Sequence, residues 1–349
     1  MFVHAVSGVR GSWTSAPHSW HAAAVCVLIA CVTVPAAADP HPQLVQWCER
    51  LSARLPGISA ENCRNSQLTL TGAASLKGFP ILARQIPATN RADVADRPVR
   101  ILLIGGIHGD ELTSSSIVFK WLQFMQMAEA REFHWNVVPI LNPDGLLARK
   151  PSRLNANGID LNRNFPTPGW QQDAPRYWVK RTGSDPRRFP GKAPLSEPES
   201  RWLNDEMERF RPQVIISVHA PFGVLDFDGP VEPPRRFGRL RLNQVGVYPG
   251  SLGNYSGLHK KVPVITIELP NARAMPSDAE TRRIWKDMLS WIKGNVPKQQ
   301  ETTGTQLVSL PAPPDSKKSG PSKNQTYQPQ DGKLDVWSRM SAWMRRTFF

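Results

Sequence analysis

Short apolar runs rich in β-branched residues alternate along the middle of the chain with longer segments in which apolar residues recur every three or four positions. The short runs cover residues 99–104, 135–141, 214–218 and 262–267, and each is followed by glycine or a polar residue. This alternation predicts an α/β domain with a largely parallel or mixed sheet. In such sheets, ligands bind beyond the carboxyl ends of the strands.

The segments between these runs have helical periodicity. One predicted helix extends from residue 111 to about residue 131. Capping-box patterns at Ser196/Glu199 and at Ser277/Glu280 predict where two further helices begin. The apolar stripes that follow these patterns are expected to face the core.

The first 38 residues resemble a secretory signal. Residues 22–34 carry no charge, and Ala36 and Ala38 fit a small-residue cleavage site, so the mature protein is expected to begin at Asp39. We therefore expect an exported, periplasmic protein. The segment that ends at Cys31 also resembles a bacterial lipoprotein box, and the alternative is a protein anchored by a lipid on Cys31.

Cleavage after residue 38 would leave Cys48 and Cys63 as the two remaining cysteines. Because an exported protein enters an oxidising compartment, we expect them to form a disulfide in the N-terminal part of the domain, residues 39–96. Closing a loop of this length stabilises a fold by roughly 3 kcal/mol in the chain-entropy model. Two buried free thiols are the alternative.

The catalytic domain is expected to cover residues 39–296. Residues 297–333 are rich in Gln, Thr, Pro, Ser and Lys and are predicted to form a disordered linker. Residues 334–349 form a basic amphipathic segment that could make weak contact with a membrane or the cell wall. A terminal helix packed on the domain, or a frayed end, is the alternative for this segment.

Composition narrows the possible classes of protein. The 349 residues include 43 Lys and Arg against 29 Asp and Glu, for a net charge of +14, and 40% are hydrophobic. This apolar content excludes disorder throughout the chain, and four cysteines do not make a disulfide scaffold. The positive charge predicts anionic partners. No nucleic-acid-binding module is recognisable, and an export signal argues against nucleic acid as a partner.

Four residues at or near strand ends have the chemistry of a catalytic zinc site. Such a site takes three His or carboxylate ligands and leaves one position for water. His108 and Glu111 follow the first run at H-x-x-E spacing, and His219 follows the third. Glu268 follows the fourth run, and a carboxylate beside a metal can act as a general base.

A polar segment at residues 155–165 supplies a further candidate. Its Arg163 could hold a carboxylate through two hydrogen bonds, with Asn162 beside it.

Together these motifs resemble the zinc carboxypeptidase (funnelin) family, in particular its bacterial murein peptide amidases, from about residue 99 to residue 294. The matching motifs, in order, are His108/Glu111, the N-P-D-G turn at 142–145, the D-x-N-R-N segment at 160–164, His219 and the T-x-E-L strand at 266–269. The resemblance implies a single domain whose mixed sheet of about eight strands has helices on both faces. It also implies a zinc ion on His108, Glu111 and His219, with Glu268 as the general base. Asn162 and Arg163 would bind the substrate's terminal carboxylate.

Two further family residues have two candidates each. The family uses an Arg to polarise the scissile carbonyl, and Arg153 is preferred to Arg149 because an Arg just before Asn-Ala-Asn-Gly resembles the murein peptide amidase version of this fold. The family also uses a mobile Tyr upstream of the catalytic Glu, and Tyr248 is preferred to Tyr255.

The implied substrate is a small murein peptide, cleaved at the bond from γ-D-glutamate to meso-diaminopimelate. Ten Lys or Arg against three Asp at residues 149–192 would attract such a carboxylate-rich peptide, unless they form only a basic surface. The alternatives are a general periplasmic zinc carboxypeptidase, an aspartoacylase or succinylglutamate desuccinylase type, and a non-catalytic module that binds the cell wall.

Overall fold

The computed structural model describes residues 42–89, 96–297 and 299–300, together with Gly11. Apart from Gly11, the predicted signal peptide, with Cys31, lies outside these residues, as do the C-terminal segment 334–349 and most of the predicted linker. In the described ranges, no helix is both long and apolar enough to cross a membrane.

Helices and strands alternate through the central part of the chain, as the apolar pattern predicts. The α-helices are α1 (Pro42–Ser52), α2 (Ala60–Asn65), α3 (Leu112–Phe124), α4 (Pro143–Leu147), α5 (Trp170–Thr182), α6 (Pro198–Phe210) and α7 (Asp278–Asn295). The strands are β1 (Thr69–Ala74), β2 (Pro80–Ile86), β3 (Asp96–Arg97), β4 (Arg100–Ile104), β5 (His134–Val138), β6 (Val214–His219), β7 (Val224–Asp228), β8 (Arg236–Phe237), β9 (Leu240–Leu242), β10 (Val264–Glu268) and β11 (Gln299–Gln300). Short 3₁₀ helices span Ala128–Ala130, Leu161–Arg163 and Pro186–Arg188, and a π-helix spans Gly253–His259.

Nine of the strands form one mixed sheet in the order β1-β2-β5-β4-β6-β10-β7-β9-β8. The four central strands, β5, β4, β6 and β10, are parallel to their neighbours in this group. Strands β2 and β7 pair with the two outer members of the group in antiparallel orientation. β3 and β11 form a separate antiparallel pair. The predicted α/β fold with a mixed sheet is confirmed, with nine strands rather than about eight.

Helices cover both faces of this sheet. Alternate side chains of β4 enter different cores: Ile101 and Leu103 pack in the cluster that includes residues of α3 and α7, whereas Leu102 and Ile104 pack in the cluster that includes residues of α6. Because successive side chains of a strand point to opposite faces, a strand that is apolar throughout must be covered on both sides.

The N-terminal part of the domain consists of two short helices and a hairpin that forms one edge of the sheet. Cys48 of α1 and Cys63 of α2 form a disulfide, with their Cα atoms 5.5 Å apart. Strands β1 and β2 pair in antiparallel orientation, and β2 joins this hairpin to the central strands through β5.

Two predicted helix boundaries differ from the structure. The capping box at Ser196 does not form: α6 begins at Pro198, its N-cap is Glu197, and the Ser196 hydroxyl donates to the Glu197 carboxylate instead. The helix predicted to reach about residue 131 ends at Phe124. The chain then forms a 3₁₀ turn, and the carbonyl of Ala130 accepts from the indole of Trp135 in β5. The predicted helix start at Ser277 is correct, since Ser277 is the N-cap of α7 and its hydroxyl accepts from Glu280 N–H.

Candidate metal centre and active site

Two close backbone contacts position the loop that carries His108 and Glu111. A Cβ atom at Gly109 would overlap the backbone of Gly145 and Leu146. A Cβ atom at Gly145 would lie 2.6 Å from the carbonyl oxygen of Ser152. The turn between His108 and Glu111 therefore rests directly on the N-P-D-G turn, which explains why both glycines are needed there.

His108, Glu111 and His219 form one buried cluster, with exposed fractions of 2%, 6% and 3%. Their ligand atoms all lie within 4.8 Å of one another. His108 Nδ1 is 2.9 Å from Glu111 Oε1, and His219 Nδ1 is 3.2 Å from Glu111 Oε2. Two imidazoles and one carboxylate are a donor set that catalytic zinc takes.

The outer nitrogens of both imidazoles have other partners. His108 Nε2 lies 3.0 Å from Asp160 Oδ1, and His219 Nε2 lies 3.0 Å from Ser217 Oγ. The two Nδ1 atoms face each other at 3.2 Å. Partners at Nε2 that set the ring orientation are typical of histidines that ligate a metal through the other nitrogen. The residues present therefore fit a zinc ion bound through the Nδ1 atoms and Glu111.

Asp160 is the first residue of the D-x-N-R-N segment, and the sequence motifs assign it no role. This fully buried carboxylate accepts from Arg153 Nε and Nη2 at 3.0 and 2.9 Å, besides its contact with His108. Burial alone would raise the pKa of Asp160, but the charges of Arg153 and His108 outweigh burial and hold that pKa well below its usual value. Asp160 is thus an ionised anchor for two site residues.

Of the two candidate arginines, the structure brings Arg153 to the cluster. Its Nη1 lies 3.2 Å from His108 Nδ1 and 3.4 Å from Glu111 Oε1. Arg149 is exposed to solvent. The guanidinium of Arg153 is therefore in a position to donate to a carbonyl oxygen held at the metal site, and this role stays a prediction.

Glu268 lies beside the cluster because β10 and β6 are parallel and in register, with Glu268 opposite His219. The carboxyl group is 7% exposed, and its Oε2 has no hydrogen-bond partner. Burial and the nearby charge of Glu111 raise the pKa of Glu268, against the effect of a hydrogen bond from the backbone of Phe222. A buried oxygen without a partner at the edge of a metal site is suited to exchange a proton with water or substrate.

Asn162 and Arg163 lie on a 3₁₀ turn that is held in place at both ends. Asp160 caps the turn by accepting from the N–H of Asn162. The side-chain oxygen of Asn162 accepts from Leu252 N–H at 2.8 Å. Gly250 packs directly against the carbonyl of Arg163, where any Cβ would clash. The predicted carboxylate-binding pair is therefore anchored to the loop that carries Tyr248.

Tyr248 and Tyr255 point to different surroundings. The ring of Tyr248 lies 4.4 Å from the guanidinium carbon of Arg163, and its hydroxyl donates to Val245 O. Tyr255 belongs to the π-helix, stacks on Phe165 and donates to the side chain of Asn204 in α6. The structure thus places Tyr248 beside the proposed substrate-binding residues, whereas Tyr255 is a core residue.

A family model described as zinc carboxypeptidase matches residues 55–225, a range that includes the three clustered ligands but ends before Glu268. Murein peptide amidase A of Escherichia coli K12 is 33% identical over 154 residues, which cover 44% of this chain and 59% of that protein. The chain thus matches less than two thirds of that relative's length. Murein peptide amidase A of Vibrio campbellii is 31% identical over 178 residues, covering 49% of this chain and 69% of that protein. The crystal structure of the murein-tripeptide amidase of Escherichia coli O157 matches 63% of this chain and 90% of its own, with 26% identity and a TM-score of 0.44.

Proposed function

The chain belongs to the zinc carboxypeptidase family, and on that premise we propose that it hydrolyses the amide bond from γ-D-glutamate to diaminopimelate in murein peptides. The observation that carries the catalytic part is the buried cluster of His108, Glu111 and His219, the zinc-ligand triad of the family, beside the unpartnered oxygen of Glu268. The similarity to murein peptide amidases supports the substrate.

Each residue of the site has a distinct task in this proposal. Zinc, when bound, would act as a Lewis acid that lowers the pKa of water and polarises a carbonyl. Glu268 Oε2 would take a proton from the attacking water and pass it to the leaving amine. Arg153 would donate to the carbonyl oxygen as negative charge develops there. Asn162 and Arg163 would hold the substrate's free carboxylate and so orient the amide.

The first test measures zinc content and turnover of Glu268→Gln and His108→Ala with the tripeptide L-alanyl-γ-D-glutamyl-diaminopimelate. Glu268→Gln should retain about one zinc per chain and lose nearly all turnover, because the amide cannot accept the proton. His108→Ala should lose both zinc and turnover. Substantial turnover by Glu268→Gln would remove the general-base assignment.

Substrate choice is tested by mass spectrometry of products from the γ-linked tripeptide and from ordinary α-linked peptides. Release of diaminopimelate from the tripeptide is the expected result. Release of ordinary C-terminal residues alone would identify a general zinc carboxypeptidase. Absence of both hydrolysis and stoichiometric zinc would favour a module that only binds the cell wall.

We also propose that the protein is exported to the periplasm, on the evidence of the signal-like residues 1–38. Mass spectrometry of the intact protein, purified from the periplasmic and membrane fractions of an expressing host, tests this proposal. A mature chain that begins at Asp39 is the expected result. A chain that begins at Cys31 and carries a diacylglyceryl group would instead show that the protein is anchored by a lipid.

A further inference from the structure

A cavity of about 390 Å³ lies at the edge of the sheet opposite the candidate metal centre. Arg100, which lines it, begins β4, while Pro212 precedes β6 and Val262 precedes β10. The proposed zinc ligands follow or end the same group of strands. These strands have five or six residues each. At about 3.3 Å per residue, roughly 15–20 Å separates the cavity from the metal centre, so the two sites are distinct.

Positive charge surrounds this cavity. Arg100, Arg211 and Lys260 line it, together with one acid, Glu208, which accepts a hydrogen bond from Lys260 at 2.8 Å. Burial lowers the pKa of Arg100, and the positive charges of Arg97 and Arg211 lower it further. These guanidinium groups are therefore close enough to repel one another. A ligand with negative charge would relieve that repulsion.

The floor of the cavity is apolar. Met207 and Ile215 are buried in the core cluster beneath it, and Val262 is half-buried at its side. The ring of Tyr255 forms a further part of the lining, with the ammonium of Lys260 5.6 Å from its centre. Cations around an apolar floor suit a ligand in which an anionic group is attached to an apolar part, and the volume lies within the range of small-molecule sites.

Two basic residues at this edge lie where the backbone favours glycine. Arg211 ends α6 with φ of 51°, at a position where helices often have glycine, and Lys261 follows Lys260 with φ of 60°. Both side chains are exposed. The chain thus keeps long basic side chains in two turns where glycine would strain the backbone less, and both enlarge the positively charged surface around the cavity.

The chain also leaves the domain at this edge. Gln213 Nε2 donates to the carbonyl of Pro297 at 2.6 Å, and Gln299 in β11 pairs with Arg97 in β3. Residues 301–349 follow, and their last part, 334–349, has the basic and aromatic sequence typical of segments that bind membrane surfaces. Because this segment is itself basic, its charge does not complement that of the cavity. An anionic surface complements both.

We propose that this side of the domain docks on a bilayer that contains anionic phospholipids, and that the cavity receives the headgroup of one such lipid. We call it the basic edge, defined by Arg97, Arg100, Arg211, Lys260 and Lys261. The guanidinium of Arg211 and the ammonium of Lys260 bind the phosphate, and the apolar floor contacts the carbon chain beyond it. Basic residues are attracted to anionic lipids, and linkage to segment 334–349 makes the two contacts reinforce each other. The metal centre, at the opposite edge, then faces away from the bilayer and is open to soluble peptides.

The test measures sedimentation of the chain from Asp39 to Phe349 with lipid vesicles. One set is phosphatidylcholine alone, and the other contains about one third phosphatidylglycerol. The wild-type protein should bind the anionic vesicles at least about 10-fold more tightly, and about 0.5 M salt should remove most of that difference. Arg211→Gln combined with Lys260→Gln should weaken binding to anionic vesicles by about 30-fold, since each basic residue at such a surface contributes about 5-fold.

Arg236→Gln combined with Arg241→Gln is the matched control. It removes the same two charges from exposed positions on the outermost strands, β8 and β9, which are not part of the basic edge. Binding of this variant should stay within about 3-fold of the wild type. An equal loss in the control would show a general attraction of a basic protein and would overturn the assignment. Unchanged binding of the Arg211 and Lys260 variant would assign all binding to segment 334–349, with the same consequence.

The vesicle comparison keeps the proposal falsifiable even where a variant does not fold, which its melting temperature would reveal. Equal binding of the wild-type protein to neutral and anionic vesicles, or no binding to either, would refute the docking surface without any substitution. Neither zinc nor turnover enters the measurement. Failure of the proposed hydrolytic function would therefore leave this result unaffected.

Discussion

Asp160 offers a test of how the zinc ligands are held in place. Replacing it with Asn keeps the size of the side chain and removes its charge. When the side-chain oxygen of Asn faces His108 Nε2, its NH2 group faces Arg153 and cannot accept the two hydrogen bonds that the carboxylate accepts. The variant therefore removes the ionic part of the support and leaves the ligands themselves unchanged.

The expected effect follows from the position of Asp160 behind a ligand. Loss of a carboxylate that orients a metal-bound His typically weakens metal affinity or activity by about 10- to 100-fold. For zinc affinity this corresponds to about 1.4 to 2.7 kcal/mol. A further fall in kcat is expected, because Arg153 loses its anchor and no longer presents its guanidinium in one orientation.

Competition against a chelator of known zinc affinity measures the first effect, and steady-state kinetics at saturating zinc measures the second. Ser217→Ala is the matched variant, because it removes the partner of the other imidazole but no charge. We expect it to weaken zinc binding by less than Asp160→Asn does. Unchanged zinc affinity in Asp160→Asn would refute the orienting role.

Three other predictions concern stability and association. Burial raises the pKa of Glu199 to about 7, compared with about 4.3 in an unfolded chain, so the free energy of unfolding should fall by at most about 3 kcal/mol as pH rises through this interval. The melting temperature should therefore depend less on pH in Glu199→Gln, whereas the exposed Glu232→Gln should follow the wild type. Serine in place of Cys48 and Cys63 should cost roughly 3 kcal/mol in denaturant unfolding, and no change in the midpoint would show that the disulfide contributes nothing. If the basic segment 149–192 attracts the substrate, kcat/KM should fall several-fold between about 0.05 and 0.5 M salt, because salt screens the attraction. An unchanged kcat/KM over this range would show that the segment does not attract the substrate.

The metal ligands could be predicted from the sequence because of how parallel strands are arranged. β4, β6 and β10 are parallel neighbours, so residues that follow their carboxyl ends must meet at one edge of the sheet. His219 and Glu268 are the last residues of β6 and β10, and His108 follows β4, so their convergence required no knowledge of side-chain contacts. Helix boundaries were harder to predict. Ser196 has the sequence of a helix N-cap, but its hydroxyl accepts from the Asn164 side chain and donates to the Glu197 carboxylate, and the sequence pattern does not reveal these contacts.

The proposed substrate-binding residues were harder to predict because they lie on loops and a short helix rather than at strand ends. Tyr248 and Tyr255 are seven residues apart, and only the π-helix turns the second into the core. The predicted zinc ligands and general base therefore lie at or beyond the ends of parallel strands, where motifs reveal them, whereas the predicted substrate-binding residues lie on loops and a short helix. Variants of Tyr248 should then change kcat/KM without changing zinc content, whereas variants of the ligands His108, Glu111 and His219 should lose both zinc and turnover.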